Sequence, residues 1–436
     1  MRKSFDKVAS SGDEVPLFFY SHLFLSHPET RAMFPVSMMQ QRDRLFRALG
    51  HVVAKVDELD VLAPFLHQLG RDHRKFGALA AHYPAVGASL LATLEHYAGD
   101  DWTPELAADW VAAYGVVADV MVAGATEAED EPAYWDAEVV SHERRSLDLA
   151  VIRLRTDPPL AYAPGQSVTV QTELRPRLWG TYSVANAPTG DGVVELHVRA
   201  RDGGPVSGAL VRHVGVGSVV RLGPSVGLMV LDPASDRDLL LVSGGTGVAP
   251  LKAILEQVAG QDVPRRVDLF VGARTADELY DLPALQLLEQ QHPWLSVVPV
   301  VSDDETFDGE AGPVWEAVVA RGPWGSRDVY VSGSPAMVRE TVQALVQSRV
   351  PQRRIQVEES LRAAGPSPGR QGSGRHDHAE RQLRRRGLGR PPEPRRRARR
   401  ALHPRRPRPT RLRGSGGRRL PRARAAGDHD AHRREG

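Results

Sequence analysis

The chain has 436 residues, no cysteine and a formal charge of +2. Its length allows two or three domains, and the missing cysteines exclude disulfides, thiolate catalysis and Cys-ligated zinc or iron–sulfur sites. The small net charge hides two opposed regions: from Leu361 onward there are 24 Arg, no Lys and 6 acidic residues, net +18, which leaves 32 basic against 48 acidic residues, net −16, before it. An acidic body argues against nucleic acid as its ligand.

The N-terminal stretch MRKSFDKVASSGDEVPLFFYSHLFL has a basic start and a short apolar run, but His22 interrupts the run and no small-residue cleavage site follows. It reads as helix rather than signal peptide. No uninterrupted apolar stretch reaches bilayer-spanning length, so the expectation is a cytoplasmic protein without a membrane partner. The first ~130 residues carry a helical period. RLFRALGHVVAKV places Leu45, Phe46, Leu49, Val52, Val53 and Val56 on one face, and VLAPFLHQLGRDHRKF places Leu62, Leu66, Leu69 and His73 on one stripe. Thr103 reads as an N-cap with Pro104 just inside the next helix.

The period then switches to two. AEVVSHERRSLDLAVIRLRT, QSVTVQTEL and VVELHVRAR alternate apolar and polar residues, separated by the turn signals APGQ, APTGDG and RDGG. A small antiparallel barrel over roughly 138–230 follows. From Arg237 the pattern changes again: DLLLVSGGTGVAPLKAILEQV is a strand, a Gly-rich turn and a helix, and RRVDLFVGAR, LSVVPVVSD and DVYVSGSPAMVRETVQALVQ repeat the theme. Such alternation predicts a parallel sheet covered by helices, with ligands outside the carboxyl ends of its strands. The Arg/Pro/Gly-rich tail cannot bury enough apolar surface to fold. It reads either as a basic arm or as a GC-rich coding region translated out of frame; no aromatic follows Tyr330, which disfavours nucleobase stacking.

His73 on its apolar stripe is, taken alone, an ordinary core histidine. Together with Tyr20 in FFYSHLF, Phe34 in RAMFP and Gln41 at the start of the following helix, it resembles the globin domain of the flavohaemoglobin family. The resemblance implies that His73 ligates haem iron, that Tyr20 and Gln41 line the distal side, and that Phe34 wedges against the porphyrin. It also implies that Tyr83 and Glu127 lie behind His73, hydrogen-bonding its ring nitrogen to make it a stronger donor. The alternative for each aromatic is plain core packing.

TYSVANAP resembles the flavin signature of the same family's reductase part. Tyr182 and Ser183 match, whereas the usual arginine is Gly180, with Arg175 and Arg177 upstream as substitutes; Ser167 stands where an aromatic is usual. RDGGPVSGAL, with Gly203, Gly204, Val206 and Ser207, resembles the second pyrophosphate contact, at a helix N-terminus. Gln166 and Val198 are further flavin positions by the same resemblance. SGGTGVAP, with Gly244, Gly245, Thr246, Gly247 and Pro250, resembles the nicotinamide-binding loop, where glycines let the backbone approach a phosphate. A ligand-free strand–helix turn is the plain alternative. Arg274 is the candidate adenosine-ribose contact, and Ser332-Gly333 replaces the frequent Cys-Gly of the last loop. At the end of the body, RIQVEES keeps Ile355, Glu358 and Glu359, and puts Ser360 where an aromatic lid is usual.

The resemblance covers residues 1 to about 359. It implies a multidomain chain: an all-α globin over 1–132, an antiparallel β-barrel FAD domain over 136–232, an α/β parallel-sheet NAD(P) domain over 237–359, and a disordered tail over 361–436. The implied cofactors are haem b, FAD and NAD(P)H, and the implied activity is monomeric nitric oxide dioxygenase, oxidising NO to nitrate with O2. Two rivals stay open: a haem–flavin NAD(P)H oxidase or reductase, and an O2- or NO-binding globin with an impaired reductase part.

Overall fold

The computed structural model describes residues 1–304 and 306–358. The expected disordered tail, Glu359 and Ser360 lie outside the described residues. Six α-helices come first: α1 (Arg2–Ala9), α2 (Glu14–Ser26), α3 (Met39–Ala54), α4 (Leu59–His73), α5 (Tyr83–Ala98) and α6 (Pro104–Glu127). The helix starts follow local chemistry. Thr103 caps α6, its hydroxyl accepting from the Leu106 amide, with Pro104 at the first helical position where no amide donor is needed. One core joins Phe5, Val8, Phe19, Tyr20, Leu23, Val53, Leu90 and Trp110; a second, smaller one joins Leu62, Leu66 and Met121.

Contrary to the sequence expectation, α6 is by length and composition long and apolar enough to cross a membrane. It lies here against α4 and α5. The α4–α6 contact is closest at two glycines. A Cβ on Gly70 would stand 1.9 Å from the Met121 carbonyl oxygen, and one on Gly124 would stand 2.2 Å from that of His67. Backbone therefore meets backbone, and the turn of α4 that ends at His73 is held directly on α6.

Six antiparallel strands and one helix follow: β1 (Trp135–Arg144), β2 (Leu149–Thr156), β3 (Ser167–Thr172), β4 (Gly180–Ser183), β5 (Val193–Arg199), α7 (Pro205–Arg212) and β6 (Val219–Leu222). Their order is β4-β3-β6-β1-β2-β5. A bridge between Val184, just after β4, and Leu196 on β5 joins the two outer strands, which nearly closes the sheet into a barrel. Alternate residues point inward, so Val139, Ile152, Leu154, Val168, Val170, Leu196 and Leu222 fill the interior.

The last region contains β7 (Leu239–Gly244), α8 (Val248–Ala259), β8 (Val267–Ala273), α9 (Leu282–Gln291), β9 (Leu295–Val301), β10 (Glu310–Ala311), α10 (Val314–Ala320), β11 (Asp328–Ser332), α11 (Pro335–Gln347) and β12 (Ile355–Val357). All strand pairs are parallel, in the order β10-β9-β8-β7-β11-β12. Helices cover both faces, which explains the unbroken apolar run of β7, whose Leu239, Leu240, Leu241 and Val242 are all fully buried. The strand order reverses at β7, so a crevice opens between the carboxyl ends of β7 and β11.

Candidate functional site

On the globin side, Tyr20 is buried on α2, and its ring meets Phe34 edge-on at 5.4 Å and Phe24 at 5.7 Å. Burial pushes the Tyr20 hydroxyl up to about 12, against the opposing pull of its hydrogen bond with Gln41. It is therefore a neutral donor at any ordinary pH. Three of the expected residues, Tyr20, Phe34 and Gln41, are thus brought together.

His73 is the last residue of α4. Its Nδ1–H donates to the Leu69 carbonyl at 2.7 Å, which fixes the ring and leaves Nε2 without a hydrogen-bond partner among the described residues. Burial lowers its pKa, against the opposing effects of the Leu69 bond and of Asp72, and Lys75 lowers it further. A neutral, oriented imidazole with a free Nε2 is what haem iron requires, so the residues present fit the group.

The expected support behind His73 differs from the sequence reading. The position assigned to Tyr83 or Glu127 at its ring nitrogen is taken by the Leu69 carbonyl. Tyr83 packs against the core of Leu62, Leu66 and Met121, and Glu127 pairs instead with His67 Nε2 at 2.7 Å. The reason is helical phase: six residues separate His67 from His73, which turns their side chains roughly 120° apart. The glycine crossing presents the His67 turn to the end of α6.

On the flavin side, β4 carries Tyr182 and ends at Ser183. A Cβ on Gly180 would stand 2.7 Å from the Tyr182 hydroxyl. The tyrosine therefore occupies the space that the usual arginine needs. Cationic groups come from elsewhere: a cavity of about 510 Å³ is lined by Arg175, Arg201 and Arg212, by the Gly203–Gly204 turn that opens α7, by Met39 at the head of α3 and by Ser37 just before it. Arginines around a helix N-terminus suit a pyrophosphate, so the cradle fits FAD. Sequence reasoning found Arg175 but missed Arg201 and Arg212; Arg177, its other candidate, does not line the cavity.

Four flavin positions from the sequence reading have side chains engaged within the protein itself. The Val198 side chain is fully buried in the barrel core. The Gln166 amide is taken up locally, accepting from the Ala163 amide at 2.9 Å and donating to the Gly227 carbonyl at 3.1 Å. Ser207 Oγ closes its own loop, bonding the Arg201 amide and the Gly204 carbonyl, each at 3.2 Å. Val206 is likewise buried in the barrel core. None of the four lines the arginine cavity.

On the nicotinamide side, Gly244–Gly247 leaves β7 and enters α8 through Thr246 and Pro250, in the crevice between β7 and β11. A Cβ on Gly247 would stand 2.3 Å from the Ser332 carbonyl oxygen, so the Gly-rich turn lies directly on the Ser332–Gly333 loop. Arg274, just beyond the end of β8, is exposed and paired with Glu278. The two flavin and nicotinamide strand ends meet at Glu358. Its carboxylate accepts from Ser183 on β4 and, at 3.2 Å, from Ser332 on β11, with Ser167 of β3 3.3 Å from Ser183 Oγ. The serines that depart from the usual aromatic and cysteine thus both join this acid.

A second contact between the barrel and the parallel sheet is a buried charge cluster. Glu195 on β5 accepts from Lys252 Nζ of α8 at 2.6 Å, Arg153 Nε at 2.8 Å and His197 Nε2 at 3.1 Å, and His197 Nδ1 in turn accepts from the Tyr280 hydroxyl at 2.8 Å. Burial alone would raise the Glu195 pKa; the His197 bond, the Lys252 ammonium and Arg153 outweigh it and hold the carboxyl well below the usual range.

Three family profiles match the chain in this order: "Globin" over residues 17–121, "Oxidoreductase FAD-binding domain" over 136–230 and "Oxidoreductase NAD-binding domain" over 241–343. The flavohemoprotein of Bacillus subtilis is 27% identical over 288 residues, 62% of this chain and 71% of that one. That of Bacillus cereus is 30% identical over 283 residues, 60% of this chain and 69% of that one. A flavohemoglobin from Malassezia yamatoensis, solved with FAD and haem bound, shares the fold, with a TM-score of 0.68 at 17% identity over 82% of this chain and 96% of that one. The chain is an NAD(P)H oxidoreductase built for haem and FAD. With a globin, a flavin barrel and a nicotinamide domain in one order, it belongs to the flavohemoprotein family.

Proposed function

We propose that the protein is a nitric oxide dioxygenase, with NO and O2 as substrates and NAD(P)H as electron source. Bound haem supplies the site where the two gases react, and bound FAD turns a two-electron hydride into single electrons. His73 holds the iron side through Nε2. The observation that carries the reading is the buried Tyr20 hydroxyl, bonded to Gln41 and walled by Phe34. A neutral donor in an apolar wall stabilises negative charge on a polarised diatomic ligand, where a wall of hydrocarbon would not. Arg175, Arg201 and Arg212 hold the flavin pyrophosphate. Gly244–Gly247 and Arg274 hold the nicotinamide cofactor. Glu358, oriented by the Ser183 and Ser332 hydroxyls, would supply a negative charge that favours the oxidised, cationic form of a bound nicotinamide.

The test is product analysis of the purified protein with NADH, O2 and NO. About two nitrate ions per NADH are expected, since each hydride carries two electrons. Superoxide or peroxide in place of nitrate would replace the proposal with the NAD(P)H oxidase reading, and absence of flavin with no NADH consumption would leave a gas-binding globin.

A further inference from the structure

The junction between the haem-facing helices and the flavin barrel is built on a buried lysine. Lys75, in the 3-10 turn just after His73, has a side chain only 1% exposed. Its ammonium pairs with Asp72 on its own turn and donates to Thr169 Oγ1 on β3 at 2.8 Å, across 94 positions of sequence. It also stands over two aromatic rings, 5.0 Å from the centre of Trp179 and 5.2 Å from that of Phe76. The Phe76 ring meets Trp179 edge-on at 6.2 Å and His73 at 6.0 Å.

Trp179 immediately precedes β4, three residues before Tyr182, and is buried. Its carbonyl accepts from Arg44 Nη2 at 3.2 Å. Arg44 lies on α3, three residues after Gln41. Both haem-facing helices therefore grip the residue that leads into the flavin strand, α3 through Arg44 and α4 through the Lys75 turn. An apolar side chain of similar size would hold the surfaces together at less desolvation cost. What a lysine adds is direction: its hydrogen bonds are satisfied in one docking only.

We propose that Lys75, with Thr169 and Trp179, is a positioning set for electron delivery, fixing the flavin strand β4 against the turn that follows His73. The inference rests on the haem–flavin assignment and is independent of NO as the substrate. In the reaction it serves, one NAD(P)H and two ferric haems give NAD(P)+, two ferrous haems and one proton.

The test uses the full-length holoprotein with Lys75→Met, Thr169→Val and the conservative Thr169→Ser. Hydrogen exchange by mass spectrometry reads the junction itself. In K75M and T169V, segments 74–79 and 176–183 exchange faster together, whereas α11 does not change. Under anaerobic NADH without NO, flavin bleaching keeps its wild-type rate while haem reduction slows about tenfold or more, as expected for a small misplacement of reacting groups. T169S, which keeps the hydroxyl, behaves as wild type. Haem reduction within twofold of wild type in T169V overturns the proposal, as does unaltered exchange in both segments. Should K75M not fold, the T169V and T169S pair decides alone. Failure of nitrate formation in the wild type would remove the dioxygenase reading and leave these readouts intact.

Discussion

Replacing Gly70 by alanine adds one methyl group at the tightest crossing in the globin region. That Cβ would stand 1.9 Å from the Met121 oxygen, 2.6 Å from its carbonyl carbon and 2.7 Å from its Cα. All three are backbone atoms, so no rotamer change relieves the clash. Ordinary contact begins at 3.4 Å, so α4 and α6 must part by roughly 1.5 Å, the difference between 3.4 and 1.9 Å. Parting by that amount also opens the Gly124–His67 contact, and a gap of ~1 Å already forfeits about half of a contact's attraction. Overpacking of this kind costs about 1–3 kcal/mol. His73 follows Gly70 by less than a turn, so its ring moves with the displaced segment. Urea unfolding followed by far-UV circular dichroism, with the Soret band recorded on the same samples, measures both effects. Gly115→Ala is the internal control: that glycine lies inside α6 with nothing within 4 Å of its Cβ position, so the same change should stabilise by ~1 kcal/mol through helix propensity. A G70A protein with wild-type unfolding midpoint and haem content would refute the close crossing.

Further outcomes follow from the sites. His73→Ala should abolish the Soret band of the purified protein while leaving its helix content unchanged; an intact spectrum would move the iron ligand elsewhere. Tyr20→Phe removes one buried donor and should speed O2 release in stopped-flow by about tenfold, the effect of ~1.5 kcal/mol; an unaltered rate would take the hydroxyl out of the pocket's chemistry. Glu358→Gln keeps shape and loses charge, and should slow NADH-driven flavin bleaching about tenfold at unchanged FAD content; equal rates would reduce the acid to a structural tie. Glu195→Gln breaks a buried cluster and should cost about 3 kcal/mol near neutral pH. Because the folded Glu195 pKa is depressed, its stabilisation is complete above the unfolded value of about 4.3 and fades as pH falls from there toward the folded value. The gap between wild type and E195Q in urea midpoints should therefore shrink on acidification, and a gap constant from pH 6 to 3 would contradict the cluster.

What was legible in the sequence was local. The 3.6-residue period around Leu62 and Leu66, the alternation through Val194, Leu196 and Val198, and the strand–turn–helix at Gly244–Gly247 each report their own backbone, because a periodic apolar face has few ways to be buried. The Thr103–Pro104 helix start was legible for the same reason. What was not legible depends on partners distant in sequence. Glu358 meets Ser183 across 175 positions, and no local signal ties a carboxylate to a hydroxyl that far away. Glu127 was misassigned because the crossing at Gly70 and Gly124 sets the phase of α6 against α4, and neither glycine breaks its helical pattern. The Gln166 amide closes its own loop through Ala163 and Gly227, and the second of these partners lies 61 positions away, where no local pattern points. The arginines of the cradle lay close to recognised motifs, but only the folded loop shows which of them converge.

The bridge from Val184 to Leu196 has a consequence for the behaviour of the protein at high concentration. An unpaired strand edge is a template on which another chain can add its own strand. In the barrel that bridge ties the two outermost strands to each other. The outer strands of the parallel sheet are short: β10 has two residues and β12 has three. The described β-structure therefore offers little edge for chain-to-chain pairing, and most of what it has would be exposed only if β4 and β5 came apart. Aggregation during heating should then track loss of the barrel, rather than loss of the helical region.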